Sequence, residues 1–201
     1  MNDKRVNDLD PYVIAGSQVL ANKLNITDSK RLIEAEIAFS RLRASTIELA
    51  APTMGLPRLC AIHRTLFQDI FDWAGELRLV DISQDDTGYC HFAYLEKEGN
   101  AVMQRLEDEE YLLGLTLEQI CPRLAEYYAD IHMLHPFREG NGRAQRIFFE
   151  QLVIHAGFDI SWQGIDRQAW LEANRAGALG DLSLLTDIFR QAVREPQPRD
   201  A

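Results

Sequence analysis

His135-Pro-Phe-Arg-Glu-Gly-Asn-Gly-Arg-Ala-Gln-Arg146 is the stretch on which the reading of this 201-residue chain turns. Pro136 disfavours helical backbone at the residue before it, so a helix arriving from upstream ends at His135. Gly140 and Gly142, with Asn141 between them, tolerate the positive φ angles of a tight loop. A second helix starts directly after. A glycine-rich loop feeding a helix N-terminus aims several backbone N–H groups at one spot, with the helix dipole behind them. That arrangement is an anion site suited to phosphates.

The side chains around the loop match. Glu139 enters just before it and could hold a divalent cation that bridges phosphate oxygens. Arg143 and Arg146 lie three apart on the first turn of the following helix, where both can neutralise phosphate charge. His135 is the one group here that accepts a proton near neutral pH. Other loop chemistries fit worse. The third glycine of a dinucleotide fingerprint is missing and a helix, not a strand, precedes the loop. No G-K-[ST] marks a P-loop. His132, His135 and Glu139 as zinc ligands would need the helical register that Pro136 and the loop break.

With these residues in place, the segment resembles the signature of the Fic family, His-x-Phe-x-(Asp/Glu)-Gly-Asn-Gly-Arg-x-x-Arg, at every fixed position. Phe71-Asp-Trp-Ala-Gly75 and the hairpin pattern after it also resemble Fic proteins, closest to the small bacterial Fic toxins. The resemblance implies a mainly α, single Fic-type domain. It implies that His135 deprotonates a target hydroxyl that attacks the α-phosphate of ATP, so that AMP is transferred and pyrophosphate expelled. It assigns Mg²⁺ to Glu139, the phosphates to Gly140, Asn141, Gly142, Arg143 and Arg146, and the anchoring of the loop to Phe137. By the same resemblance the hairpin, through Val80, Asp81, Ile82, Ser83, Tyr89, Cys90 and His91, clamps a target protein by strand addition. Doc toxins resemble this loop but carry lysine at the position of Gly142 and transfer a phosphoryl group, so glycine favours AMP. The likeness to bacterial toxins points to type II topoisomerases as targets. The inhibitory pattern (Ser/Thr)-x-x-x-Glu-(Gly/Asn) of many Fic enzymes is absent: only Glu98-Gly99 and Glu139-Gly140 satisfy its end, and Tyr94 and His135 stand four residues before. A separate small antitoxin is therefore expected to supply that glutamate near Arg146. The competing readings are a Fic-fold scaffold or binding protein with weak or lost catalysis, against which the intact motif argues, and a Fic-fold enzyme that transfers a different phosphate-containing group.

Outward from the motif, helical periodicity dominates. Residues 11–24 read as a first helix. Thr27, Asp28 and Ser29 offer caps for a second, running to about Leu49 with Leu32, Ile33, Ile37, Leu42 and Ile47 as its apolar stripe. Residues 51–57 form a connector. Leu59, Ile62, Leu66, Ile70 and Trp73 space as the buried face of a third helix. Residues 77–82 and 89–94 partly alternate around the turn residues of 83–88, which makes one small β-hairpin. Helices are expected over 95–109, 117–133 (Ile120, Leu124, Tyr127, Tyr128 and Ile131 inward), 142–155, 167–175 and 182–193. Trp162 and Trp170 read as core. Residues 1–10 and 195–201 are polar termini around a domain at 11–194.

Composition sets the remaining bounds. Apolar residues at 46% and charged residues at 26% are globular values. A net charge of −10 lacks the basic footprint that direct nucleic-acid binding needs. No run of about twenty apolar residues predicts a membrane span, and the polar first residues lack a secretion signal. Three cysteines far apart, Cys60, Cys90 and Cys121, read as reduced thiols of a cytoplasmic protein. His63, His91, His132 and His155 read as structural or surface residues, and 105–110 as a solvated charged face.

Overall fold

A computed structural model describes residues 10–49, 54–84 and 87–196. Among them seven α-helices carry the structure, with two short antiparallel strand pairs at its margins. The helices are α1 (Ser29–Ala44), α2 (Leu56–Phe67), α3 (Leu95–Asp108), α4 (Leu117–Leu134), α5 (Asn141–His155), α6 (Arg167–Ala178) and α7 (Ser183–Ala192). The mainly α fold is as expected, and α3 to α7 fall where periodicity puts them.

The centre is α4. Thr116 and Gln119 form a reciprocal capping box at its start, satisfying two N–H groups that a helix leaves open. Ile120, Leu124, Tyr127, Tyr128 and Ile131 are all buried. Helices α3, α5, α6 and α7 all pack on it, while α2 packs on both α1 and α5. The Tyr128 ring sits among Phe149, Trp170 and Phe189, so Trp170 belongs to the core as expected. No helix among the described residues is long and apolar enough to cross a membrane.

Four local expectations fail, each for a readable reason. Residues 11–24 are not a helix. Gly16 takes φ +73°, Ile14 N–H donates to Val19 O at 2.8 Å, and Val13 bridges Leu20 in antiparallel fashion. Helix α1 is capped by Asp28 as expected, but it ends at Ala44, where Ser45 and Thr46 hydroxyls turn back onto the carbonyls of Leu42 and Arg43. Its buried face is Leu32, Glu36 and Ser40, whereas Ile33, Ile37 and Leu42 are exposed. Helix α2 stops at Phe67, so Ile70 and Trp73 reach the core from turns. The hairpin is shorter than expected: β1 (Ser83–Gln84) pairs with β2 (Thr87–Gly88), Ser83 opposite Gly88, and its turn at 85–86 lies outside the described residues. Residues 92–94 form a 3₁₀ turn instead of strand. A second pair, β3 (Asp159–Ile160) with β4 (Val193–Arg194), carries no alternating pattern long enough to be seen in the sequence. Part of the connector and the termini at 1–9 and 197–201 also lie outside the described residues.

Candidate active site

The C-terminus of α4 delivers His135. Its N–H still bonds Ile131 O at 3.1 Å, but its own backbone is left-handed at φ 43°, ψ 60°. That conformation is strained for a non-glycine residue and turns the chain out of the helix ahead of Pro136. The imidazole Nδ1 lies 3.3 Å from His132 O. A carbonyl only accepts, so this contact favours the tautomer with the proton on Nδ1, which leaves Nε2 as the basic nitrogen. Tyr89, from the hairpin, stacks on the ring with centroids 3.9 Å apart and planes 16° apart.

The loop after His135 is clipped to itself and to the core. Asn141 Oδ1 accepts Phe137 N–H at 2.8 Å while Asn141 Nδ2 donates to Phe137 O at 2.7 Å. Phe137 is fully buried and stacks on His63 at 3.9 Å. His63 itself accepts Gly75 N–H at Nδ1 and donates from Nε2 to Glu139 O, both at 2.9 Å. Burial pushes its pKa down to about 4, so it is a neutral brace between Gly75 and the motif loop. Gly75 in turn needs to be glycine: φ is +85° and a Cβ would meet Arg64 Cβ at 2.7 Å.

Gly140 is left-handed at φ +80° and caps α5, with Glu139 Oε1 accepting its N–H at 2.9 Å. Gly142 is exposed in the first turn, with no heavy atom within 4 Å of where a Cβ would stand. The first-turn N–H groups at Asn141 and Gly142 have no carbonyl within the helix to bond. N–H groups left open at a helix N-terminus are the kind of donors that bind anions.

The two arginines go different ways. Arg143 lies against α1, with Nη2 2.5 Å from Glu36 Oε2, Nη1 3.3 Å from Ser40 Oγ, and its guanidinium 4.5 Å from the centre of the Phe67 ring. Arg146 is half-buried, and its positive charge acts on the Tyr128 hydroxyl and the Glu150 carboxyl. Burial raises the Glu150 pKa, opposed by the Trp162 indole N–H that it accepts at 2.7 Å and by Arg146.

The hairpin residues expected from the sequence split between the strand pairing and its root. Ser83 is in the pairing, Ile82 is buried, and Ile82 O accepts Tyr89 N–H at 3.4 Å. Val80 O and Cys90 O both accept from Arg78, and Cys90 N–H donates to Met133 O at 2.9 Å. Asp81 accepts Phe92 N–H and sits 3.3 Å from His91 Nε2, while His91 Nδ1 caps the 3₁₀ turn at Ala93 N–H.

Several structural partners of the motif escape sequence reading. Arg78, buried to 1% exposure, looks outward in an alternating strand pattern. Arg138 is a free position of the motif, yet it forms a buried ion pair at 2.6 Å with Asp10, which composition assigns to the polar terminus. Glu36 and Ser40 look like the solvent face of α1. His63 alone had a signal, since it shares the buried face of α2 with Leu59, Ile62 and Leu66. A concavity of about 420 Å³ lined by Thr46, Glu48, Arg58 and Thr65 among others contains no motif residue. The base and the cradle, not depth, mark the candidate site.

Comparison with known proteins agrees with this geometry. The model of the Fic/DOC family matches residues 54–153. The chain is 57% identical over 195 residues to the probable protein adenylyltransferase Fic of Salmonella typhimurium (strain LT2), covering 97% of this chain and 98% of that protein. It is 56% identical over 195 residues to the protein of the same name from Escherichia coli (strain K12), with the same coverage. Among solved structures, the N-terminal Fic domain of a VirB-translocated Bep effector from Bartonella quintana, with bound ADP, superposes with a TM-score of 0.84. That domain is 26% identical, and the match covers 92% of this chain and 94% of it.

Proposed function

The chain belongs to the Fic/DOC family and is a protein adenylyltransferase, and on that premise we propose that His135 is its general base and residues 139–146 its nucleotide cradle. The observation that supports this reading is the position of His135 Nδ1 3.3 Å from His132 O, which favours the Nδ1–H tautomer and leaves Nε2 to accept the proton. A hydroxyl oxygen of the target protein forms a bond to the α-phosphorus of ATP. The bond from that phosphorus to the bridging oxygen breaks, pyrophosphate leaves with the electron pair, and the hydroxyl proton passes to Nε2. The first-turn N–H groups of α5 and Arg146 hold the phosphates, and Arg143 adds its charge from the α1 side. Asn141 keeps the loop in shape through Phe137.

Glu139 is the loop's single carboxylate, and among the described residues no three His, Cys, Asp or Glu side chains gather around a metal position. That donor set fits Mg²⁺ carried in on the nucleotide, with phosphate oxygens and water completing its sphere, better than a resident ion. When bound, Mg²⁺ neutralises charge on the phosphates; Glu139 is the residue that would hold it.

The target protein docks as an added strand on the β1–β2 edge, through main-chain bonds. Type II topoisomerases in the cytoplasm are the candidates by likeness to toxins. A separate small antitoxin supplies a glutamate to Arg146, since the sequence carries no (Ser/Thr)-x-x-x-Glu-(Gly/Asn) pattern of its own.

The test uses the chain purified alone, incubated with α-labelled or γ-labelled ATP and cell lysate. Label from the α position only, absent with His135→Ala, is expected. Label from the γ position would replace AMP transfer by phosphoryl transfer, and an inert chain without any partner would count against the antitoxin.

A further inference from the structure

We propose that Arg78 is a positioning residue for the catalytic base, one buried guanidinium that ties both feet of the docking hairpin to His135. The inference rests on the reading of His135 as the base. Arg78 Nε donates to His135 O at 2.9 Å, and Nη2 donates to Leu134 O at 3.3 Å. On its other side Nη1 donates to Val80 O at 2.7 Å, where the chain enters the hairpin, and Nη2 donates to Cys90 O, where it leaves. The backbone repeats the tie: Arg78 N–H bonds Pro136 O and Cys90 N–H bonds Met133 O, both at 2.9 Å.

The carbonyls of Met133 and Leu134 are among those that the end of α4 leaves without helical partners, and those of His135 and Pro136 follow directly. They are satisfied here from the hairpin root, and the positive guanidinium sits at the negative end of the helix dipole. Among the described residues, the carboxylate within salt-bridge reach of Arg78 is Asp81 at 3.8 Å, and it is half-exposed. The carbonyls therefore do most of the compensation. The left-handed backbone of His135 is held in place by a group that also fixes Val80 and Cys90. A target strand that docks on the hairpin consequently bears on the same anchor that sets the base. Lysine cannot replace this, because one ammonium nitrogen does not span acceptors on two sides as the planar fork does.

The experiment compares wild type, Arg78→Lys, Arg78→Gln and His135→Ala as full chains, each first checked by thermal melting. Initial rates of α-label transfer into lysate protein are measured against ATP concentration with Mg²⁺, and the histidine ring nitrogens are followed by NMR. For folded Arg78 variants we expect an ATP KM within about twofold of wild type and a maximal rate roughly 10- to 100-fold lower, the loss typical of a misplaced reacting group. We also expect the His135 ring signals to lose the Nδ1–H form. A folded Arg78→Lys that matches wild type in rate and ring signals overturns the proposal. If every Arg78 variant fails to fold, amide exchange of the wild type decides: Arg78, Cys90 and His135 N–H must exchange as one unit, and a freely exchanging hairpin root beside a protected His135 overturns it. Transfer that survives in His135→Ala would instead overturn the base assignment itself.

Discussion

Gly140→Ala and Gly142→Ala add the same methyl two residues apart, and the structure assigns them opposite effects on stability. At Gly140 the backbone is left-handed, and a Cβ would stand 2.4 Å from two carbons of the fully buried Phe67 ring. The left-handed conformation costs an L-residue roughly 1 kcal/mol or more, and overpacking a filled core about 1–3 kcal/mol. The sum, about 2–4 kcal/mol, corresponds to a Tm lower by roughly 5–15 °C in a chain of this size. At Gly142 the backbone is helical and a Cβ meets nothing within 4 Å. Alanine is favoured there by up to about 1 kcal/mol, so Tm holds or rises by a few degrees.

Catalysis should not follow stability. The open space over Gly142 is where phosphate oxygens reach the first-turn N–H groups, and a methyl there pushes them away. Gly142→Ala is expected to be at least as stable as wild type, with an ATP KM about tenfold higher or more. The assay is thermal melting with and without ATP and Mg²⁺, followed by α-label transfer. Wild type gains Tm with nucleotide by mass action, and Gly142→Ala gains little or none. Full nucleotide stabilisation and full transfer in Gly142→Ala would refute the cradle. A drop in Tm as large as that of Gly140→Ala would refute the geometry of the loop.

Two further outcomes follow from the clips around the loop. His63 is neutral in the fold with a pKa near 4, below the usual 6.5, so between these values the unfolded chain binds a proton that the folded one refuses. Its contribution is complete above about pH 6.5 and is lost as pH falls toward 4, at up to about 1.4 kcal/mol per unit. Urea unfolding of wild type and His63→Gln should show the gap between them shrinking by about 2 kcal/mol from pH 6.5 to 5; a constant gap would mean that His63 is not held neutral. Asn141→Asp keeps the acceptor for Phe137 N–H but turns the donor to Phe137 O into a second oxygen. It should cost about 1–3 kcal/mol in chemical unfolding, and an unchanged midpoint would show that the clip does not hold the loop.

The long helices were legible because each buries an apolar stripe at helical spacing, as in α4, where five expected residues all face inward. Short features were not. A single left-handed residue, Gly16, undoes a helical pattern over 11–24, and strand pairs of two residues leave too little alternation to detect. In the motif, residue types and loop shape were legible, but the supports of the loop were not.

Those supports have something in common. Glu36, Ser40, His63, Arg78 and Arg138 are all polar and buried, and a hydrophobic pattern assigns all of them but His63 to solvent. Each is buried because it has a partner far away in sequence: Arg143 for Glu36 and Ser40, Glu139 O for His63, His135 O for Arg78, and Asp10 for Arg138. In every case one member of the pair lies between residues 135 and 146. Burying a polar group without a partner is costly, so these side chains would not sit in the interior for packing alone. They are inside because the loop, with its left-handed His135 and Gly140, exposes carbonyls and cations that helices do not satisfy. Ile33, Ile37 and Leu42 of α1 lie on the surface, while Leu32 shares the inward face with Glu36 and Ser40, the two residues that receive Arg143. Local pattern and global fold therefore conflict most where the loop must be held in an unfavourable shape, which is what a site built before its substrate arrives requires.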